Sequence, residues 1–243
     1  MCKIKKTGQS AMFFTKDYEV RYSDIDNFGN LKFSAVLELL QDVSIRHAQT
    51  VEACSMETLG SKKLAWLISA WNIRFEEAAM KPESVTVETC VYHFGMTKSK
   101  RQYRIKVNGR VIVSAVAEWF LFNFELGRPV KITDYITEYF PVCENEINLD
   151  TERIEKRECV EEESFRVLKK DIDTNVHLNN VRSFDYTCEV LDGGFRPKKI
   201  TVSYKHSAYL GDKTKLYKYE DENEIVSCLK LEDKDIIVTK FTK

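Results

Sequence analysis

"DIDNFGNL" at Asp24–Leu31 and "DIDTNVHL" at Asp171–Leu178 decide how the chain is read, because they agree in their first three positions and their last at an offset of 147 residues. Four identities in eight are weak by themselves, but the flanks repeat as well. A strand-like run precedes each copy, "FFTKDYEVRYS" and "EEESFRVLKK", and a segment of helical periodicity follows each. The first helix is expected over Lys32–Gln49, with Phe33, Val36, Leu37, Leu40, Val43 and Ser44 on one face. The second is expected over Asn180–Leu191, with Val181, Phe184, Tyr186, Cys188 and Leu191 as its stripe and "DGG" at Asp192–Gly194 as its stop.

After each helix the pattern turns to strands. "LAWLISAWNIRF", "SVTVETCVYHF" and "SKRQYRIKVNGRVIVSAVAEWFLFNF" follow the first, and "KKITVSYKHSAYL" and "KTKLYKYEDENEIVSCLKLEDKDIIVTKF" follow the second. "VNGRV" is an Asn-Gly hairpin signal, and "EDENE" and "EDKD" are polar turns. Each half therefore reads as a strand, one long helix and an antiparallel meander. An α+β fold with two sequential domains follows: residues 1–130, then 159–243, joined by a surface-crossing linker over 131–158 that contains Pro141 and the acidic "CENEINLDTERIEKRE". A helix wrapped by one curved antiparallel sheet is the hot-dog arrangement, and two in tandem make a double hot dog.

Totals narrow the class of function. The 243 residues carry 37 basic and 38 acidic side chains, so no net field draws the chain to nucleic acid or to an anionic membrane. The seven cysteines are scattered, with no Cys-x-x-Cys pair or zinc-finger spacing, and read as reduced, mostly buried thiols. The start, "MCKIKKTGQSAMFF", has no apolar run of signal-peptide length, and no segment approaches the roughly 18 apolar residues of a membrane span. A soluble, cytoplasmic protein is expected, with neither metal nor organic cofactor.

In sequence and spacing the chain resembles the acyl-acyl-carrier-protein thioesterases, the fatty-acid-releasing enzymes of plant plastids and many bacteria. "YEVRYSDIDNFGNLKFSAVLELLQDVS" looks like that family's first helix region, and "LAWLISAWNIRFEEAAMKPESVTVETCV" like its Trp-led strand and the turn after it. "GRVIVSAVAEWFLFNFELGRPVKI" is similar to the strand closing its first domain. "DIDTNVHLNN" is the most specific match, to an Asp-x-Asn-x-His element that opens the second domain's helix. The resemblance implies a catalytic site at Asp173, Asn175 and His177, a non-catalytic first copy in which Phe28 and Asn30 replace the last two, and a first domain that holds the acyl chain. It also implies a partner, acyl carrier protein bearing a phosphopantetheine-linked acyl chain. One departure stands out. Where the family carries an acidic residue, followed by cysteine in the plant enzymes, this chain has Ser207 and Ala208.

The residue types suit thioester hydrolysis. A helix N-terminus offers free N–H groups to an oxyanion, the Asn175 amide can donate to the same oxygen, and His177 can exchange a proton near neutrality. Asp173 would orient one of these partners. With no acid at 207, His177 or Asp173 is left as base for an attacking water, and Ser207 is placed to hold that water or, second, to act as nucleophile. Capping and turn roles suit Asp24, Asp26, Gly29 and Asn30. His206 and Ser207 are read in an alternating strand, facing opposite sides. His47 and His93 are read as structural, and His206 as exposed strand polarity.

Of the aromatics, mostly core, Trp66, Trp71, Trp119 and Phe33 are the candidates to line an acyl tunnel. The basic runs "TKSKRQYRIK" (Thr97–Lys106) and "RPKK" (Arg196–Lys199) are read as solvated edges and turns that an acidic carrier protein could also use. Two other functions fit the same pattern, an acyl-CoA thioesterase and an acyl-binding protein without turnover. The tandem supplies a hot-dog pair internally and can dimerise again.

Overall fold

The computed structural model describes residues 13–77, 81–138, 140–173 and 175–243. Cys2 and the lysine-bearing start lie outside that range, as does Thr174. In chain order the elements are β1 (Phe14–Glu19), α1 (Phe33–Gln49), α2 (Met56–Ser61), β2 (Leu64–Phe75), β3 (Ser84–Phe94), β4 (Lys98–Val107), β5 (Arg110–Asn123), β6 (Arg128–Pro129) and α3 (Asp134–Thr137). Then come β7 (Val160–Arg166), α4 (Asn180–Cys188), β8 (Lys199–Tyr204), β9 (Lys213–Glu220), β10 (Glu224–Leu231) and β11 (Lys234–Thr242). Among the described residues no helix is long and apolar enough to cross a membrane.

All strands join one antiparallel sheet in the order β1-β3-β4-β5-β2-β8-β11-β10-β9-β7, with β6 paired to β5. That order reads the same from both ends once the halves are matched. The junction is β2 against β8, where Ala70 pairs with Ser203 and Arg74 with Lys199, so a pseudo-two-fold axis passes between them. This is the tandem hot dog. α1 and α4 lie in the two hollows of the sheet, their apolar stripes (Val36, Leu37, Leu40 and Val43; Val181 and Phe184) buried in one core with Trp71, Ile200 and Phe241. The Asn-Gly hairpin forms as expected, both Asn108 (φ 50) and Gly109 (φ 79) taking the left-handed conformation that its tight turn requires.

The halves differ where it matters for function. α4 stops at Cys188 rather than Leu191, whereas α1 runs the full length to Gln49. The first half also inserts α2 between its helix and the sheet, capped by Ser55, whose Oγ accepts the Thr58 N–H at 3.1 Å. Both the longer α1 and the added α2 contribute lining to an interior cavity, through Gln41, Ala48, Met56 and Leu59.

Residues 131–158 form a strap: its first part, residues 132–140, closes the end of the first half from inside, and residues 143–150 then cross the outer face of β2, β3 and β4 and are fastened to it. Gln102 Oε1 accepts the Glu146 N–H at 3.0 Å, and the Asn72 amide donates to the Asp150 carbonyl at 2.8 Å. Ile132, Ile136 and Phe140 bury into a second apolar cluster with Cys54, Leu59, Val91 and Leu121. The expectation of seven reduced thiols fails here, because Cys90 on β3 and Cys143 form a disulfide. Widely spaced cysteines carry no sequence signal of pairing, and only the strap's path along the sheet brings these two together. Cys54 and Cys228 are free and buried, as expected, while Cys159 and Cys188 are half-buried.

Candidate active site

The two Asp-Ile-Asp loops are built alike, bond for bond. Asp24 and Asp171 each end a 3-10 turn by accepting a main-chain N–H at 2.9 Å, from Arg21 and Leu168 respectively. Their carbonyls accept the N–H of Lys32 (2.9 Å) and Asn179 (2.8 Å) at the start of α1 and α4. The second aspartate ties the loop itself. Asp26 Oδ1 accepts the N–H of Phe28 at 2.9 Å and Asn30 at 2.8 Å, and Asp173 Oδ1 that of Asn175 at 2.8 Å and, more weakly, His177 at 3.4 Å. One aspartate therefore closes the turn before the loop and the other shapes the loop. Gly29 takes the left-handed conformation in the first copy (φ 77), but Val176 takes it in the second (φ 66), where a β-branched side chain is strained.

What the loops face is different. In the first copy Phe28 covers Gly193 and Gly194, and Arg196 forms an ion pair with Asp26, in a groove of about 330 Å³. Burial alone would raise the Asp26 carboxyl, but the N–H groups of Asn30 and Phe28 and the Arg196 guanidinium outweigh it and hold it below the usual carboxylate range. That copy is closed. The turn roles expected for Asp24, Asp26 and Gly29 are the ones found, and the "RPKK" arginine is consumed in this closure.

The second copy opens on a cavity of about 990 Å³, lined at one end by Asp173, Asn175, His177, Asn180, His206 and Ser207. Trp66 and Trp119 line it further in; Trp71 is fully buried in the core and Phe33 sits in the smaller groove of the first copy. The far end is made by α1, α2 and the strap, through Ala48, Cys54, Leu59 and Phe140. The first half thus supplies most of the wall, and the second half supplies the polar end.

Donors at that polar end can be counted. Asp173 takes the N–H of 175 and 177, the Asp173 carbonyl takes that of 176, the Ala208 carbonyl takes that of 178 at 2.8 Å, and Asp171 takes that of 179. Asn179, the N-cap of α4, then accepts the N–H of Val181 (2.8 Å) and Arg182 (3.3 Å) on its own side chain. The helix N-terminus is therefore less open than expected. From 175 to 182 the Asn180 N–H is the one main-chain donor without a partner among the described residues, and the Asn175 side-chain amide is likewise unengaged and exposed.

Asp173 makes its bonds to main chain and none to the His177 imidazole, which instead stands edge-on to the Tyr209 ring at 5.0 Å. The expected strand at 205–209 is absent. β8 ends at Tyr204, and the N–H groups of Lys205 (2.9 Å) and His206 (3.4 Å) both turn to the Ile236 carbonyl, so the chain leaves the sheet. Consecutive residues no longer alternate there, and His206 and Ser207 both reach the cavity. Ser207 is exposed and Ala208 is buried behind it.

The sequence reading missed a buried cation. Arg101 lies on the inner face of β4, 7 % exposed, on the cavity wall. Its Nη1 donates to His47 Nδ1 at 3.0 Å and its guanidinium covers the Phe140 ring at 5.4 Å, with no carboxylate in an ion pair with it among the described residues. Burial, helped by Arg101, pushes His47 from its ordinary 6.5 down to about 3, so the imidazole is neutral and accepts that bond. β4 is a central strand, not a solvated edge, and period two separates its inner Ser99, Arg101, Tyr103 and Ile105 from the outer cations. Those outer cations are matched by acids: Lys98 with Glu118 (2.7 Å), Lys100 with Asp150 (2.6 Å), Arg104 with Glu146 (2.8 Å) and Lys106 with Glu88 (2.7 Å). The run Thr97–Lys106 therefore presents little unpaired positive charge to a carrier.

Comparison with known proteins follows the same division into halves. The acyl-ACP thioesterase N-terminal domain matches residues 11–140 and the acyl-ACP thioesterase C-terminal domain matches residues 154–238. The chain is 26% identical over 241 residues to oleoyl-acyl carrier protein thioesterase 2, chloroplastic, of Arabidopsis thaliana, covering 89% of this chain and 64% of that protein. It is 19% identical to the palmitoyl-acyl carrier protein thioesterase of the same plant, covering 83% and 54%. The chain thus spans less than two thirds of the length of these relatives. Among solved structures, an acyl-ACP thioesterase from Bacteroides thetaiotaomicron superposes with a TM-score of 0.85 at 19% identity, over 95% of this chain and 97% of that one. A 12:0-ACP thioesterase from Umbellularia californica gives 0.81 at 13% identity, over 97% and 98%. These likenesses establish the shared fold.

Proposed function

Because the chain belongs to the acyl-ACP thioesterase family, we propose that it hydrolyses the thioester between a fatty acyl chain and the phosphopantetheine arm of acyl carrier protein, releasing the free acid. The observation that carries this reading is the single cavity of about 990 Å³ that runs from an apolar interior in the first half to Asn175 and His177 in the second. The acyl chain lies against Trp66, Trp119 and Leu59, and the thioester carbonyl sits at the loop of the second copy.

Each role follows from what the residue has left to give. The Asn175 amide and the Asn180 N–H, both without other partners among the described residues, donate to the carbonyl oxygen as it becomes an oxyanion. Asp173 Oδ1 is taken up by main-chain N–H groups, so Asp173 shapes the loop that presents these donors. His177 delivers a proton to the departing thiolate. Ser207, exposed at the cavity end, holds the attacking water.

A hydrolysis panel of acyl-ACP and acyl-CoA thioesters of graded length tests the reading. Preferred turnover of acyl-ACP, lost in Asn175→Ala and His177→Ala, supports it. Preference for acyl-CoA moves the substrate class, and tight acyl-ACP binding without release of thiol makes the chain an acyl-binding protein.

A further inference from the structure

The site as described holds the oxyanion and the leaving group but assigns no base to the water. Asp173 Oδ1 accepts two main-chain N–H groups and so holds the loop, and the His177 ring has no hydrogen-bond partner among the described residues to fix its tautomer. One imidazole at this end of the cavity is fixed. His206 Nδ1 lies 2.8 Å from the main-chain carbonyl of Asp235, an oxygen that can only accept, so Nδ1 carries the hydrogen and the lone pair of the neutral ring is on Nε2.

We propose that His206 is the general base of the hydrolysis, with Nε2 taking the proton of the water held beside Ser207. This rests on the thioesterase reading given above. The fold supplies the placement. Release of residues 205–209 from the strand puts His206 among the residues that line the cavity with Asn175, His177 and Ser207, and the carbonyl of Asp235, at the start of β11, fixes its ring through Nδ1.

The step balances without a co-reactant. The water oxygen forms a bond to the thioester carbon as its proton passes to His206 Nε2, and the carbonyl π pair moves onto oxygen, where Asn175 and Asn180 receive it. The imidazolium that forms keeps its Nδ1–H on the Asp235 carbonyl, which is better satisfied by a cation than by a neutral ring. Collapse of the tetrahedral intermediate re-forms the carbonyl and breaks the C–S bond. The thiolate takes a proton from His177, and the proton on His206 returns to solvent as the acid leaves ionised and His177 is reprotonated.

His206→Asn tests this with little structural disturbance, because the asparagine amide can still donate to the Asp235 carbonyl while offering nothing that accepts a proton. With acyl-ACP as substrate, kcat is expected to fall by about 10²- to 10⁴-fold with KM changed by less than about threefold. In His206→Ala, whose exposed site admits a small molecule, added imidazole is expected to restore turnover in proportion to its concentration. A His206→Asn enzyme that keeps kcat within about threefold of wild type overturns the proposal. So does failure of imidazole to raise the His206→Ala rate. Failure of the wild-type protein to hydrolyse acyl-ACP at all is a different result, and it overturns the thioesterase reading instead.

Discussion

Replacing Asp173 by alanine and by asparagine separates shaping the loop from taking part in the reaction. Its Oδ1 accepts a good bond from the Asn175 N–H (2.8 Å) and a long one from His177 (3.4 Å), so about one and a half charged-acceptor bonds are at stake. Bonds to a charged partner contribute about 1.5–3 kcal/mol each and neutral ones about 0.5–1.5. The loop is partly exposed, so the lower ends apply, and Asp173→Ala should cost about 2 kcal/mol, Asp173→Asn about 1. For a chain of this size 2 kcal/mol corresponds to roughly 4–8 °C in Tm. Asn175 and His177 are misplaced when the loop relaxes, and a shift of about 1 Å costs on the order of 10²-fold in rate.

The assay is thermal or urea unfolding beside acyl-ACP hydrolysis on the same preparations. Asp173→Ala should lose both stability and at least about 10²-fold in kcat, and Asp173→Asn should keep kcat within about tenfold. Asp26 makes the same bonds in a copy without histidine, so Asp26→Ala should lose stability and leave kcat near wild type. If Asp173→Asn unfolds like wild type yet is as inactive as Asp173→Ala, the carboxylate acts in the reaction directly and the reasoning is refuted.

Three further outcomes follow from the geometry. Val176 is strained at φ 66 and 67% exposed, so Val176→Gly should raise stability by about 1 kcal/mol in urea unfolding; a loss of stability would show that the side chain has a packing role. His47 stays neutral in the folded protein down to about 3 but takes a proton near 6.5 when unfolded. Its contribution is complete above pH 6.5 and is lost as pH falls toward 3, with a slope of at most about 1.4 kcal/mol per pH unit that His47→Asn should remove. The Cys90–Cys143 disulfide closes 53 residues of chain, worth about 4 kcal/mol by loop entropy, so a reductant should lower Tm; thiol counting in denaturant that finds every cysteine free would contradict the bridge.

The fold was legible because the chain repeats itself. Asp-Ile-Asp before an amphipathic segment, met twice, located both helices, and "VNGRV" located the β4–β5 hairpin. The cavity was legible only in part. Trp66 and Trp119 were found, but Trp71 and Phe33 share their chemistry and differ only in which way the backbone turns them. The run "VSYKHSAYL" alternates well enough to pass for strand, and nothing local shows that the Ile236 carbonyl draws two successive N–H groups out of the sheet. That one feature moved His206 from the surface to the cavity. Arg101 is readable from the period of β4, because Ser99, Tyr103 and Ile105 share its face and a cation in that inner row must be buried.

The most direct test of the account is release of thiol and free fatty acid from acyl-ACP by the purified chain, measured in single turnover beside His177→Ala. Stoichiometric release by wild type, with the variant slowed by at least about 10²-fold while still binding acyl-ACP, is the predicted result. Bound acyl-ACP with its thioester intact, or release that His177→Ala leaves unchanged, would contradict it.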